Sequence, residues 1–278
     1  MVNEQAYYKN GYNKSISATH SWRTVQNSTP YLIPLLKPDL KVLDVGSGPG
    51  TITLDLTNYV TEGEITGVEP TQELIDEANA NKAKLEETKG IKLDKVTFKK
   101  GSIYELPFPD NTFDLVHAHQ VVIHLEDPIS ALKELRRVTK PNGYVGVKDA
   151  DLASVTVYPP KYEQIVQLYF VKKAKAAGST DIYAGRSLRS KALKAGYEAD
   201  RITSSASSWC ISDLSIKNRW KGLISDRLLN SNEKLVPDDE EANKEAIEKV
   251  IKIWTEFYED DEAWLATNHG EIIYQKKA

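Results

Sequence analysis

Side chains able to do chemistry gather at three places in the chain. The run VLDVGSGPG (42–50) ends in glycines at 46, 48 and 50, with a carboxylate, Asp44, just ahead of them. Glycine has no Cβ and tolerates positive φ, so such a loop lets a ligand approach the backbone closely. Glu69, followed by Pro70, closes GEITGVEP (63–70), where an acid can accept hydrogen bonds from both hydroxyls of a ribose. His117, His119 and Gln120 end the run FDLVHAHQ (113–120), and His124 follows shortly. Histidine moves protons near neutral pH more readily than other side chains.

The glycine spacing separates two ligand classes. A dinucleotide loop wants G-x-G-x-x-G, and Thr51 stands where its third glycine should be. A carboxylate beside the loop would repel a pyrophosphate but suits a cationic or hydrogen-donating ligand. Glu69 is consistent with a ribose in either case. Spacing and Asp44 together favour a nucleoside cofactor without phosphate.

The elements that must position these residues follow from periodicity. Apolar runs at 40–45, 63–70, 95–101, 113–120 and 144–151 read as strands, separated by helical stretches such as 72–87. Asp127 and Pro128 suit the N-cap and first turn of a helix in which Ile129, Leu132, Leu135 and Val138 share one face. Pro141-Asn142-Gly143 is expected to stop it. Five strands alternating with helices are the rhythm of a doubly wound α/β fold. Beyond 151 the texture changes. Helices are expected over 161–178, 185–196, 213–229 and 240–259, with strands at 200–209 and 270–277. Tyr162, Ile165 and Tyr169 share one helix face; Ala246, Val250, Trp254 and Phe257 form a stripe on another.

Three segments (VLDVGSGPGTIT, ITGVEPT, and GSIYELPFPDNTFDLVHAHQVVIHLEDPISALKELRRVTKPNGYVGVKDAD) resemble the class I S-adenosylmethionine-dependent methyltransferases. The likeness is greatest to the branch containing ubiquinone and menaquinone biosynthesis enzymes, and it covers about 40–151. It implies a Rossmann-like fold with a seven-stranded, mostly parallel sheet and helical cap insertions. One domain would then span 1–278: lid helices over 1–39, a cofactor-binding half over 40–151, and remaining strands over 152–278 with cap helices at about 155–180 and 213–265. S-adenosylmethionine is the implied cofactor and S-adenosylhomocysteine the product. Asp44, Gly46, Ser47, Gly48 and Gly50 correspond to the loop around its methionine part and ribose. Glu69 corresponds to the acid on the ribose hydroxyls, with Pro70 beside the adenine. The family often places an acid after the glycine ending the third strand. Here Gly101 is followed by Ser102 and Ile103, so Ser102 and the Ile103 amide are the candidates there. His119 and Gln120 would lie near the methionine end, with His119 the candidate for a catalytic contact.

Tyr12, His20, Trp22 and Arg23, in an aromatic-rich segment ahead of the first strand, are candidates for a lid over the cofactor, against simple packing of a terminal helix. His124, Asp149 and Tyr183 are further candidates for the substrate side, although loop ordering or turn chemistry explains His124 and Asp149 as well. Asp151 stands with Asp149 after the fifth strand. His117 reads as a buried structural histidine. Of the cap aromatics Tyr158, Tyr162, Tyr183, Trp209, Trp220, Trp254 and Trp264, most are expected in the core and some around an apolar acceptor pocket.

Composition narrows the partners. Lys plus Arg number 36 and Asp plus Glu 40, a net charge of −4. Phosphate-backbone binding favours a basic excess, and Lys172, Lys173 and Lys175 read as a solvated helix face. The residues after the fourth strand, HAHQVV, also lack the acidic or amide residue followed by two prolines and an aromatic that base-modifying methyltransferases carry. A small, partly apolar acceptor is therefore expected rather than nucleic acid. Cys210 is the only cysteine, and the histidine and carboxylate spacings fit no familiar metal signature, so no metal is expected. No long apolar run marks a membrane span, and a cytoplasmic location is the default. Two other functions fit parts of the pattern: a cofactor-binding sensor or scaffold without transfer activity, and a nicotinamide dehydrogenase, which conflicts with Thr51 and Asp44. Oligomeric state is not legible.

Overall fold

The structure, a computed structural model, describes residues 13–174, 181–230, 234–236 and 238–278. Its centre is a seven-stranded sheet of β1 (Lys41–Val45), β2 (Glu64–Glu69), β3 (Val96–Lys100), β4 (Phe113–His119), β5 (Thr139–Tyr158), β6 (Ile202–Ile211) and β7 (Trp264–Gln275). The order is β3-β2-β1-β4-β5-β7-β6. Only β7 runs antiparallel, against both β5 and β6. The chain reverses direction in strand order after β1, so the carboxyl ends of β1 and β4 flank the crevice in which open α/β sheets bind ligands.

Helices cover both faces: α3 (Thr51–Asp55), α4 (Gln72–Lys89), α5 (Pro128–Val138) and α6 (Ala184–Lys194), with α1 (Lys14–Ala18) and α2 (Val25–Ser28) ahead of the sheet. The start of α5 forms as its residue types dictate. Asp127 caps it by accepting from the Ser130 amide at 3.0 Å, and Pro128 fills the first turn. Ala131, Leu132, Leu135 and Val138 are its buried residues. Two apolar clusters bury the faces of the sheet, one around Leu43, Val116, Leu132 and Val145, the other around Leu32, Val42, Ile65 and Leu115.

Beyond residue 151 the fold departs from the periodicity reading. β5 does not end at Asp151. After an irregularity, Thr156–Tyr158 pair with Trp264–Ala266 of β7, and β6 runs alongside to Ile211. Residues 155–158, expected in a cap helix, are therefore strand, as are 264 and 265. The Val-Thr-Val-Tyr alternation there is a strand pattern that the following helical run obscures. The segment expected as one helix over 161–178 is a short 3-10 turn, Pro160–Tyr162, followed by a π-type stretch, Val166–Lys173; Lys175 and the rest lie outside the described residues, as does Pro237. Pro141-Asn142-Gly143 does not cap α5, which ends at Val138; those residues form a bulged start to β5, with Asn142 at φ 62°.

The extended ends of β5, β6 and β7 project past the carboxyl edge of the parallel strands. There they carry a third apolar cluster with α7 (Leu214–Asn230) and α8 (Glu240–Glu259). Val250, Trp254 and Phe257 of the predicted stripe are buried in it, along with Tyr162, Ile165 and Tyr169. No helix among the described residues is long and apolar enough to cross a membrane.

Candidate active site

Two cavities open at the carboxyl ends of the strands. The first is a polar cleft built on the glycine loop. Gly46 and Ser47 donate their amides to the carbonyl of Val68, which folds the loop back over β2. Gly46 has φ +73°, and a Cβ there would meet Val121 Cγ2 at 2.4 Å, so only glycine lets the loop and the end of β4 pack together. Gly48, at φ +53°, has nothing within 4 Å of a Cβ built on it. Its backbone faces open space. Gly50 instead serves packing, since a Cβ there would strike the Phe98 ring at 2.6 Å.

Asp44 and Glu69 sit beneath this loop. Asp44 lies opposite Gly67 on β2 and His117 on β4, and its Oδ2 accepts the Thr53 hydroxyl at 2.6 Å. Burial raises its pKa, while His117, at 4.0 Å, and the Thr53 hydroxyl pull it back. Glu69 is also buried; its Oε2 accepts the Gly48 amide at 3.1 Å and its Oε1 has no hydrogen-bond partner, like the nearby Ser47 hydroxyl. Burial pushes the Glu69 carboxyl up to about 7. A buried carboxylate oxygen without a donor is costly unless something fills the cleft with hydroxyls or amides. The donor set, one unmet carboxylate oxygen and one hydroxyl beneath an open glycine backbone, fits a nucleoside better than a pyrophosphate.

The second cavity is a chamber of about 960 Å³ counting its mouth, walled by Trp209 of β6, Trp220 and Ile224 of α7, Trp254 of α8, and Tyr169 and Phe170. Trp209 occupies the junction. Its ring packs on His269 at 4.5 Å, on Trp22 at 4.8 Å and on His119 at 5.8 Å, and its Nε1 donates to Asn27 O at 2.6 Å.

His20, Arg23, Gln120 and His124 line both cavities. Gln120, at φ 55°, is held from two sides. An Arg23 Nη2 donates to its Oε1 at 2.5 Å, and its Nε2 lies 2.9 Å from His269 Nε2. With the amide oxygen committed to Arg23, the amide nitrogen must donate, so His269 Nε2 accepts. Burial, with Lys148 and Arg23 adding to it, lowers the His269 pKa to about 3, which keeps that nitrogen unprotonated. His119 is 5 % exposed, its ring nitrogens have no hydrogen-bond partner, and burial followed by the Arg23 charge holds its pKa well below the ordinary value.

The expected residues therefore separate. Asp44, Gly46, Ser47, Gly48, Glu69, His119 and Gln120 line the cleft, joined by His20, Arg23 and His124. Gly50, Pro70, Ser102 and Ile103 do not. Ser102 Oγ accepts the Tyr104 amide at 3.2 Å, and Ile103 is buried in the core. Trp22 packs behind Trp209 and Trp220 rather than lining either cavity. Asp149 lines neither cavity and takes the turn-ordering role of its two expected ones, its carboxyl fully buried against the amides of Ile123 (3.0 Å) and Ala150 (2.8 Å), where it braces the loop after β4. Tyr183 is 47 % exposed beside Arg186 at the start of α6, outside both cavities. Asp151 is paired with Arg186. Tyr12 lies outside the described residues. Sequence reasoning missed Thr53, His269 and Arg227, whose partners are brought together only by strand pairing and helix packing.

Sheet order, the single antiparallel strand and a glycine-and-carboxylate cleft at the reversal define a class I S-adenosylmethionine-dependent methyltransferase. Residues 43–147 match the family model described as a methyltransferase domain. The chain is 46 % identical over 275 residues to an uncharacterized methyltransferase of Schizosaccharomyces pombe, covering 99 % of this chain and 98 % of that one. It is 32 % identical over 136 residues to a demethylmenaquinone methyltransferase of Lysinibacillus sphaericus, covering 49 % of this chain and about half (53 %) of that relative's length. An arsenic(III) S-adenosylmethionine methyltransferase structure from Chlamydomonas reinhardtii shares the fold, with TM-score 0.52 and 19 % identity over 94 % of this chain and 70 % of that one. The chain belongs to the methyltransferase family, and S-adenosylmethionine is its cofactor.

Proposed function

We propose that cleft and chamber are two halves of one transfer site. The cleft holds S-adenosylmethionine and the chamber a small, partly apolar acceptor. The supporting observation is the shared border: His20, Arg23, Gln120 and His124 face both spaces, so molecules in the two would meet there.

S-adenosylmethionine supplies a methyl group already activated by its sulfonium charge. The chain's contribution is placement and exclusion of water. Asp44, Ser47 and the Gly46–Gly48 backbone would hold the methionine part and ribose, and Glu69, ionised, would accept from the ribose hydroxyls. Pro70, Ser102 and Ile103, outside the cleft proper, would flank the adenine. Arg23 anchors the N-terminal segment over the border through Gln120, and Trp209 closes the aromatic side. His119 keeps a neutral imidazole at the junction, suited to accept a hydrogen bond from the acceptor's nucleophile. Its depressed pKa makes it a poor store for a proton, so turnover should draw on orientation more than on a general base.

Calorimetric titration with S-adenosylmethionine, S-adenosylhomocysteine and NAD tests the cleft. Micromolar binding of the first two without NAD is expected, and binding of NAD alone would overturn it. Methyl transfer to small apolar acceptors, screened next, tests the chamber.

A further inference from the structure

The sheet ends in β3 on one side and β6 on the other, and the two edges are finished differently. β3 has five residues and ends in the exposed Lys99 and Lys100, a short, charged rim of the kind that discourages further pairing. β6 has ten residues, with no charged side chain and no proline, and its register with β7 runs without a bulge from Ile202 to Ile211. Thr203, Ser204, Ser205, Ala206, Ser208 and Cys210 are exposed along it.

The hydroxyls of this strand are satisfied on the β7 side. Ser205 and Ser207 donate to the Glu271 carboxylate at 2.8 and 2.5 Å, and Ser208 donates to Asn268 Oδ1 at 2.6 Å. What β6 presents outward is its backbone, because in an antiparallel pair every second residue turns its N–H and C=O away from the neighbouring strand. Among the described residues no strand pairs with that outer rim. A long, uncharged row of such groups is a template for another strand.

The charges at its two ends indicate which strand. Arg201 comes directly before β6 and Asp213 shortly after it, and neither is ion-paired among the described residues. Glu198, whose carbonyl accepts the Arg201 amide, has its carboxylate committed to Arg136 at 2.9 Å and to the Tyr274 hydroxyl at 2.5 Å. Arg201 and Asp213 each stand six residues from Ser207. A second β6 laid antiparallel about a two-fold axis through Ser207 therefore sets each Arg201 opposite the partner's Asp213, and one operation makes both ion pairs. A strand of another protein would meet the same backbone without meeting both charges.

We propose that the β6 edge is an interface between two copies of this chain, paired antiparallel about Ser207 so that the two sheets continue into each other. Pairing there also braces the strand that carries Trp209 into the chamber wall.

Sedimentation velocity of the full chain, from about 1 to about 100 µM, tests this, and a monomer–dimer equilibrium is expected. Arg201→Glu places like charges at both ends of the pairing and should raise the dimer dissociation constant about tenfold or more. Combining it with Asp213→Arg should return the constant to within about threefold of wild type. Ala206→Lys, on the exposed rim between the two charges, should weaken the dimer as well. Circular dichroism checks that each variant is folded; should Arg201→Glu fail, Asp213→Arg makes the same clash from the other end. A chain that stays monomeric, an assembly larger than a dimer, a dimer indifferent to the charge reversal, or one that the swap does not restore would each overturn the proposal.

Discussion

The cleft and the chamber share four side chains, yet they are built in opposite ways. The cleft is made of backbone and side chains within a few residues of each strand end: Asp44 near the end of β1 with Gly46, Ser47 and Gly48 after it, Glu69 at the end of β2, and His119 at the end of β4 with Gln120 after it. The chamber is made of large side chains collected from β6, α7, α8 and β7, and no two of its tryptophans are neighbours in sequence. The parallel strands already converge on the cleft, so its groups need only occupy strand ends. The chamber exists only because β5, β6 and β7 overrun the sheet edge and give α7 and α8 a surface to pack on. A ligand common to a whole family can be gripped by backbone; an acceptor peculiar to a few members is recognised by side chains that can change without disturbing the sheet.

This contrast can be broken most forcefully at Gly48. A Cβ there meets nothing, but the φ of +53° strains any side chain and a β-branched one most, so Gly48→Val should still fold at a cost of about 1–3 kcal/mol while filling the cleft. Loss of S-adenosylhomocysteine affinity by about a hundredfold or more is expected by calorimetry, with the circular dichroism spectrum unchanged. Gly46→Val, by contrast, collides with Val121 and should lower thermal stability as well. Wild-type-like affinity in Gly48→Val would dismantle the cleft assignment.

At the junction, Trp209→Ala removes the ring between His119, His269 and Trp22. It should raise KM for an identified acceptor about tenfold or more, in line with a lost aromatic anchor, while S-adenosylhomocysteine affinity stays within about twofold. Equal losses on both sides would mean the two cavities are not separable.

Glu69→Gln sharpens the comparison through pH. Burial raises the Glu69 carboxyl to about 7, above its unfolded value, so its contribution to stability is fully present at acidic pH and is lost as pH rises through 7. The neutral variant should therefore melt at a higher temperature than wild type, by a margin that grows between about pH 4.5 and about 7 and levels off above that. The same change should cost about tenfold in cofactor affinity above pH 7, where the wild-type carboxylate is ionised. A variant that is less stable at alkaline pH would contradict this account of its burial.

The smallest effect is expected at His119. His119→Ala should lower kcat several-fold with cofactor affinity within about twofold. Because its pKa is held well below the ordinary value, wild-type turnover should show no step near pH 6.5 from this group. A turnover step near that pH, removed by His119→Ala, would restore a general-base role.

Reading along the chain identified the parallel half and most of the cleft, because their information is local. G-x-G-x-G, the acids at 44 and 69, the Asp-Pro start of α5 and the apolar strand runs all act on residues close by in sequence. Tertiary structure alone decided the rest. The bracing role of Asp149 depends on β5 lying beside β4, and the extension of β5 to Tyr158 and the contact between Gln120 and His269, which lie 149 residues apart, depend on β7 inserting antiparallel between β5 and β6. Periodicity reports which side of an element faces inward. It carries no signal for which distant element will be waiting there, and every wall of the aromatic chamber is of that second kind.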